Sequence, residues 1–398
     1  MKEFIQKDEN KKKLRNIILN EIYNHFSFPS SILSAVGLEI YSKNMSLYDR
    51  MGRAIKESCI EDDIVLTNEQ FECLQLLANN NLFISAPTSF GKTFIAFEFI
   101  SRNLNLFKNV IFIVPTIALM NELRKKCFKY FGEQFVIITS EAELEKNIDF
   151  DKKIFILVPE RINSRQVMKY LNSVKIDFAV YDEIYKLNVE LGKGNDNARI
   201  ISMNYTYKYL TENAEKLLLL GPFIKDASFA KSGIKIDKYI TDLNLVYNEI
   251  HSLSGEFNYI ENKTEKQFIY FSTPNSITKF LQEHASLMHE LEEVTYDPEI
   301  VNWMEQNINE KWYYVEYLKK GIGIHHGNTP IFLRKYIEDE YANGYINTIL
   351  CTSTLIEGIN TPTNKLIVYD KPRNVFELNN LIGRVGRLNI KYPQKGDI

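Results

Sequence analysis

The chain has 398 residues, with 48 Lys and Arg against 51 Asp and Glu, a net charge of −3 at neutral pH. Its 45% hydrophobic and 25% charged content is ordinary globular composition and excludes a disordered or fibrous chain, and at about 150 residues per domain the length gives two or three domains. The near-balance of charge excludes polyanion binding by the surface as a whole, so any nucleic-acid contact must be local.

No apolar run approaches the ~20 residues of a membrane span. The first thirteen residues are charged throughout and lack the apolar segment of a secretory signal. Cys59, Cys73, Cys127 and Cys351 stand far apart with no CxxC spacing, which reads as reduced, buried thiols of a cytoplasmic protein.

Residues 1–64 read as a helical accessory region: Leu14, Ile17, Ile18, Ile22 and Phe26 recur at helical spacing, and a second helical stretch follows the Phe28-Pro29-Ser30-Ser31 break. From Leu66 the texture changes. Short apolar, β-branched runs at 82–85, 110–114, 135–139, 154–158, 178–181 and 217–220 alternate with longer helical patterns, as in a parallel sheet buried on both faces. Residues 231–266 are more polar and lack that rhythm, which marks a boundary and linker. The alternation resumes at 268–271, 321–324, 348–351 and 366–369. The chain is therefore predicted to be α/β: a domain at 65–245, a second at 246–398, and the helical extension before them.

Three groups of residues carry chemistry. Ala86-Pro87-Thr88-Ser89-Phe90-Gly91-Lys92-Thr93 follows a strand and opens a helix. Amides of such a loop and helix start converge on phosphate, Lys92 adds a point charge, and the Thr93 hydroxyl suits Mg²⁺. Ala86 replaces the usual first glycine. Asp182-Glu183 ends the next-to-last strand of the first series, at the sheet edge where ligands bind. Asp182 can hold Mg²⁺, and Glu183 can orient and deprotonate a water. Gly383-Arg384-Val385-Gly386-Arg387 offers two guanidinium groups suited to charge developing on phosphoryl oxygens. The second domain has no phosphate loop of its own, since Ser272-Thr273-Pro274-Asn275-Ser276 follows its first strand. One nucleotide served by both domains fits that pattern.

In combination these residues resemble the superfamily 2 helicases, the DExD/H-box ATPases, over roughly 66–387. Leu66-Thr67-Asn68-Glu69-Gln70 is similar to the adenine-reading motif, with Gln70 as base contact. Residues 86–93 resemble motif I and residues 114–119 motif Ia. Val158-Pro159-Glu160-Arg161 looks like a Thr-Pro-Glu-Arg strand contact with Val158 replacing threonine. Asp182-Glu183 stands at motif II, Phe268 to Ser272 at motif IV, Thr352 to Pro362 at motif V, and Asn380 to Arg387 at motif VI. Gly321-Ile322-Gly323-Ile324-His325-His326-Gly327 is similar to a signature of the Ski-like branch. The tandem histidines have no Cys or carboxylate at metal-ligand spacing and read as structural.

The resemblance implies two RecA-like domains and ATP with Mg²⁺. Catalysis would fall to Lys92, Glu183 and the arginine fingers Arg384 and Arg387, with Gly358 also at the nucleotide. Pro115, Thr116, Pro159, Glu160, Arg161, Ser272 and Thr352 would grip single-stranded or partly duplex RNA or DNA. The implied activity is ATP-driven translocation or unwinding, or an ATP-switched clamp without processive unwinding. The family pattern breaks at Tyr185 (usually His or Asp), at Gly221-Pro222-Phe223 (usually Ser/Thr-Ala-Thr) and at Asn380 (usually Gln or His). Rewired coupling of hydrolysis to strand movement, or simple drift, would explain the breaks. The stop soon after Arg387 reads as a truncation before winged-helix and ratchet domains. Partner proteins would then engage the N-terminal helices or such a missing region.

Overall fold

In the computed structural model the described residues are 8–42, 47–62, 64–188, 197–222, 224, 233–244, 248–251, 265–285, 291–294, 298–309, 312–358, 363–372, 378, 381–383, 385 and 396–397. The chain divides into two compact units, Met1–Leu245 and Val246–Ile398.

In the first unit, helices α1 (Asp8–Tyr23), α2 (Ser30–Val36) and α3 (Leu47–Ala54) precede an alternation of strands and helices. The strands are β1 (Asn81–Ser85), β2 (Asn109–Ile113), β3 (Val136–Ile138), β4 (Lys153–Leu157), β5 (Ile176–Tyr181), β6 (Ala214–Gly221) and β7 (Ile236–Ile240). They form one parallel sheet in the order β3-β4-β2-β5-β6-β1-β7. Helices α4 (Asn68–Asn79), α5 (Lys92–Arg102), α6 (Ile117–Phe131), α7 (Glu141–Lys146), α8 (Pro159–Ile162), α9 (Arg165–Leu171) and α10 (Asn197–Asn213) connect and cover it. Every residue of β2, β4 and β5 is buried, as a central strand covered on both faces requires. Phe83, Ile111, Phe155, Ala179, Tyr181 and Leu219 interlock with Ile162 and Leu210 in one core.

Because all seven strands are parallel, their carboxyl ends share one edge, and the turns after β1, β2, β4, β5 and β6 gather there.

Three features differ from the sequence reading. Cys73, Cys127 and Cys351 are buried as expected, but Cys59 is exposed, between α3 and α4. The polar stretch assigned to a linker contains β7, which pairs with β1 from Asn81↔Ile236 to Ser85↔Ile240. It is an edge strand with intermediate or exposed side chains, so the apolar run that flags central strands is missing. The buried side of α1 is also rotated: Arg15, Ile18 and Leu19 are buried, whereas Ile17 and Phe26 are 60% and 62% exposed. The cause is polar, because Arg15 Nε donates to the Val36 carbonyl at 2.9 Å and draws that face inward. The extension rests on the start of α4, where Glu39 accepts from the Asn68 amide at 2.8 Å.

The second unit has β8 (Asn248–Glu249), β9 (Gln267–Tyr270), β10 (Ile322–His325), β11 (Thr348–Cys351), β12 (Lys365–Val368) and β13 (Gly396–Asp397). They form a parallel sheet in the order β10-β11-β9-β12-β13-β8. Its helices are α11 (Pro274–Glu283), α12 (Pro298–Asn307), α13 (Tyr313–Lys319), α14 (Ile331–Asn343) and α15 (Ser353–Gly358). Phe268, Tyr270, Met304, Ile324, Tyr341 and Leu350 lie in its core. The Tyr341 hydroxyl donates to Thr363 Oγ1 at 2.8 Å, and Thr363 donates to the Lys266 carbonyl at 2.8 Å, which locks the starts of β9 and β12 together.

Candidate active site

β1 delivers the chain into a short turn, Thr88–Phe90, that ends at Gly91 with φ +82°. An L side chain is strained there, and a Cβ would lie 3.0 Å from Gln70 Nε2, so both backbone and space call for glycine. Ala86 has no positive φ, which explains how alanine stands at the loop's first position. Its amide donates to the Gly221 carbonyl at 3.2 Å and moors the loop to the end of β6.

Lys92 is the first residue of α5, and its Nζ donates to the carbonyls of Ala86 at 2.7 Å and Pro87 at 3.0 Å. Burial pulls its pKa down to about 8, opposed by the charges of Asp182 and Glu183. Thr93 and Asp182 line one cavity of about 50 Å³ on an apolar floor that includes Phe112 and Val180. In the sheet β5 and β1 flank β6, so the carboxylates after β5 come to the loop after β1.

The Asp182 amide donates to the Ile113 carbonyl at 2.9 Å and carries the ladder one residue past β5. Asp182 Oδ1 accepts from the Glu183 amide at 2.9 Å. Burial first, then the Glu183 charge, push the Asp182 pKa up to about 7, while Lys92 opposes them. Glu183 has φ +56°, a left-handed conformation costing about 1–2 kcal/mol for a residue with a Cβ. Strain therefore sits on the carboxylate beside the cavity. The donor set, one hydroxyl and one carboxylate with a carboxylate neighbour, is hard oxygen and fits Mg²⁺.

Gln70 spends each end of its amide on the protein. Its Oε1 accepts from the Thr67 amide at 2.9 Å in a capping box that starts α4, and its Nε2 donates to the Phe90 carbonyl at 2.7 Å. It tethers α4 to the turn at Thr88–Phe90.

Along the same edge, Thr116 caps α6 by accepting from the Leu119 amide at 3.3 Å, with Pro115 just before it. Pro159 and Glu160 open α8. Arg161 turns inward: Nη1 donates to the Thr139 carbonyl at 2.6 Å and lies 3.6 Å from Met120 Sδ. The group joining these turns is Arg199, near the start of α10, which donates to the Pro115 carbonyl and lies 3.6 Å from Glu160 Oε1. Nothing in Asn197-Ala198-Arg199-Ile200 announces it.

In the second unit Ser272 follows β9, and its amide and hydroxyl both bond Asp370, the hydroxyl at 3.0 Å. Thr352 follows β11, and its amide donates to the His325 carbonyl at 3.2 Å. His325 Nε2 lies 3.0 Å from Glu338 Oε1, and His326 Nε2 lies 3.2 Å from the Tyr314 hydroxyl. Among the described residues no group of three or more His, Cys, Asp and Glu side chains is placed to hold a metal ion. Gly358 closes α15, whereas Asn380, Arg384 and Arg387 lie outside the described residues.

Comparison with known proteins bears on this arrangement directly. Residues 67–220 match the DEAD/DEAH box helicase family, and residues 287–389 match the helicase conserved C-terminal domain. The chain belongs to the superfamily 2 DExD/H-box helicases, in the Ski-like branch. It is 29% identical to Anti-bacteriophage protein B of Escherichia coli K12, covering 84% of this chain and 47% of that protein. It is 26% identical to the ATP-dependent DNA helicase Hel308 of Pyrococcus horikoshii, covering 81% of this chain and 48% of that protein. With Activating signal cointegrator 1 complex subunit 3 of Dictyostelium discoideum it shares 24% identity over 78% of this chain and 16% of that protein. The chain spans about half the length of the first two relatives.

Against this family the glycine at the motif III position has a steric cause. A Cβ on Gly221 would lie 2.6 Å from Ile224 Cδ1 and 3.3 Å from Ile184 Cγ2, the residue after Glu183. The hydroxyl next to it is that of Ser85, which accepts from the Ile224 amide at 2.7 Å. No helix among the described residues is long and apolar enough to cross a membrane.

Proposed function

We propose that this chain is the ATP-hydrolysing motor of a helicase or translocase that moves along single-stranded or partly duplex nucleic acid. The observation carrying the reading is the convergence of Lys92, Thr93, Asp182 and Glu183 on one edge of one sheet, with Lys92 close enough to both carboxylates for their charges to act on it. Residues 86–93 would cradle the triphosphate by backbone amides, with Lys92 exchanging loop carbonyls for phosphate oxygens and Gln70 beside the base. Thr93 and Asp182 would hold Mg²⁺, which when bound neutralises charge on the phosphate oxygens. Glu183 would orient and deprotonate the attacking water. Arg384, Arg387 and Gly358 would complete the site from the second unit.

Pro115, Thr116, Pro159, Glu160 and Arg161 of the first unit, with Ser272 and Thr352 of the second, would form the strand-gripping edge, in a cytoplasmic protein. Arg161, turned inward, would act there by fixing the loop. The Hel308 names favour DNA, and the Escherichia coli relative's name favours a role against bacteriophage. The exposed Ile17 and Phe26 would serve a partner protein. ATP turnover measured with matched single-stranded DNA and RNA oligonucleotides tests the reading. DNA is expected to stimulate more strongly, with a steep loss on adding salt. Stimulation by neither would overturn it.

A second reading, an ATP-switched clamp without processive unwinding, is favoured by the tight packing at Gly221, where a motif III side chain would have to displace Ile224 and press on Ile184. Strand-displacement assays on the same sample separate the two.

A further inference from the structure

One helix touches both the catalytic carboxylate strand and the turns assigned to the strand grip. Toward β5, the Met203 carbonyl of α10 accepts from the hydroxyl of Tyr181, the residue immediately before Asp182, at 3.1 Å. Asn204 Nδ2 donates to the Leu187 carbonyl at 3.3 Å, in the short helix that follows Glu183. From neighbouring positions of the same helix, Arg199, Ser202 and Thr206 fall at helical spacing on one face. Ser202 Oγ accepts from Asn163 Nδ2 at 2.8 Å, and Thr206 Oγ1 donates to the Pro159 carbonyl at 3.4 Å. Arg199 completes the face by bonding the Pro115 carbonyl and pairing with Glu160 at 3.6 Å.

β2 and β4 are neighbours in the sheet, so Pro115 and Glu160 lie on adjacent turns of one edge. Arg199 bridges them from an element that follows the catalytic carboxylates in the chain. A guanidinium suits the task because its planar fork serves a carbonyl and a carboxylate together, which a lysine ammonium on a flexible stem does poorly.

We propose that Arg199 is a positioning residue that holds the turns after β2 and β4 at the spacing needed to grip successive phosphates, and that α10 keeps this grip in register with Asp182 and Glu183. The inference rests on the nucleic-acid motor reading and adds a residue to it. In a chain with Gly221 at motif III, α10 supplies a second connection between carboxylates and strand.

The test is oligonucleotide-stimulated ATP turnover of wild type, Arg199→Ala, Arg199→Lys, Glu160→Gln and the Arg199→Ala/Glu160→Gln double variant. In Arg199→Ala the oligonucleotide concentration for half-maximal stimulation should rise about tenfold, while turnover at saturating oligonucleotide changes less than twofold. Arg199→Lys should recover only part of the loss. The double variant should bind no worse than Arg199→Ala, because the two groups act as one unit. The slope of log affinity against log salt should match wild type, since a positioning residue neutralises no phosphate. A slope smaller by about one would identify Arg199 as a direct phosphate contact and overturn the positioning role. Wild type stimulated normally with Arg199→Ala unchanged would sink this inference alone. Absence of stimulation in wild type would sink the motor reading and this one with it.

Discussion

Replacing Gly221 with serine returns the first hydroxyl that motif III carries in other helicases, and the structure predicts that it harms the protein. The new Cβ would stand 2.6 Å from Ile224 Cδ1, 3.3 Å from Ile184 Cγ2 and 3.5 Å from Phe83 Cε2. Ile224 can swing its terminal methyl away and Phe83 stays at ordinary contact distance, but Ile184 is buried, at 6% exposure, and has little space to yield. Overpacking of this kind costs about 1–3 kcal/mol. Loss of glycine's freedom in the unfolded chain offsets about 0.4–1 kcal/mol, since Gly221 needs no positive φ. The net expectation is a loss of about 1–2 kcal/mol, a fall in Tm of about 2–8 °C in thermal unfolding. Turnover should fall with it, because Ile184 shifts the neighbouring strained Glu183. Ile224→Ala opens the closest contact, so Gly221→Ser/Ile224→Ala should lose less than the sum of the single changes, with a coupling of about 0.5–1.5 kcal/mol. A neutral Gly221→Ser, or strictly additive losses, would refute the steric account of the missing motif III hydroxyl.

Glu183→Gly should relieve the left-handed strain and raise stability by about 0.5–1 kcal/mol in urea unfolding while removing nearly all ATP turnover. Stability without nucleotide should depend on Asp182: its folded pKa, about 7, exceeds the unfolded value near 3.8, so its contribution is complete below 3.8 and is lost as pH rises through 7. Asp182→Asn should flatten the unfolding profile across pH 5–8, and an unchanged profile counts against the shift. In wild type, Mg²⁺ affinity measured by calorimetry should rise from pH 6 to pH 8, because binding must displace the Asp182 proton. Thr363→Val strands the buried Tyr341 hydroxyl and removes the bond to the Lys266 carbonyl, and should cost about 1–3 kcal/mol in urea unfolding. Tyr341→Phe in the same chain should recover only the part due to the stranded hydroxyl.

By itself the sequence determined the α/β alternation, the two-unit order and the strand-turn-helix setting of residues 86–93. These are local properties: apolar runs of strand length, Gly91 where φ is positive, Lys92 and Thr93 at a helix start, paired carboxylates at a strand end. Tertiary structure decided the rest, because it depends on residues remote in the chain. The polar β7 is a strand only because β1 offers it a free edge. The inward face of α1 follows from the bond between Arg15 and Val36, not from apolar spacing. Gly221 is crowded by Ile184 and Ile224 packed around it, and Arg199 bonds Pro115 and pairs with Glu160, which lie 84 and 39 positions earlier in the chain. Periodicity reports what each segment does with its own neighbours, whereas steric fit and bridging hydrogen bonds exist only once the strands have chosen their order.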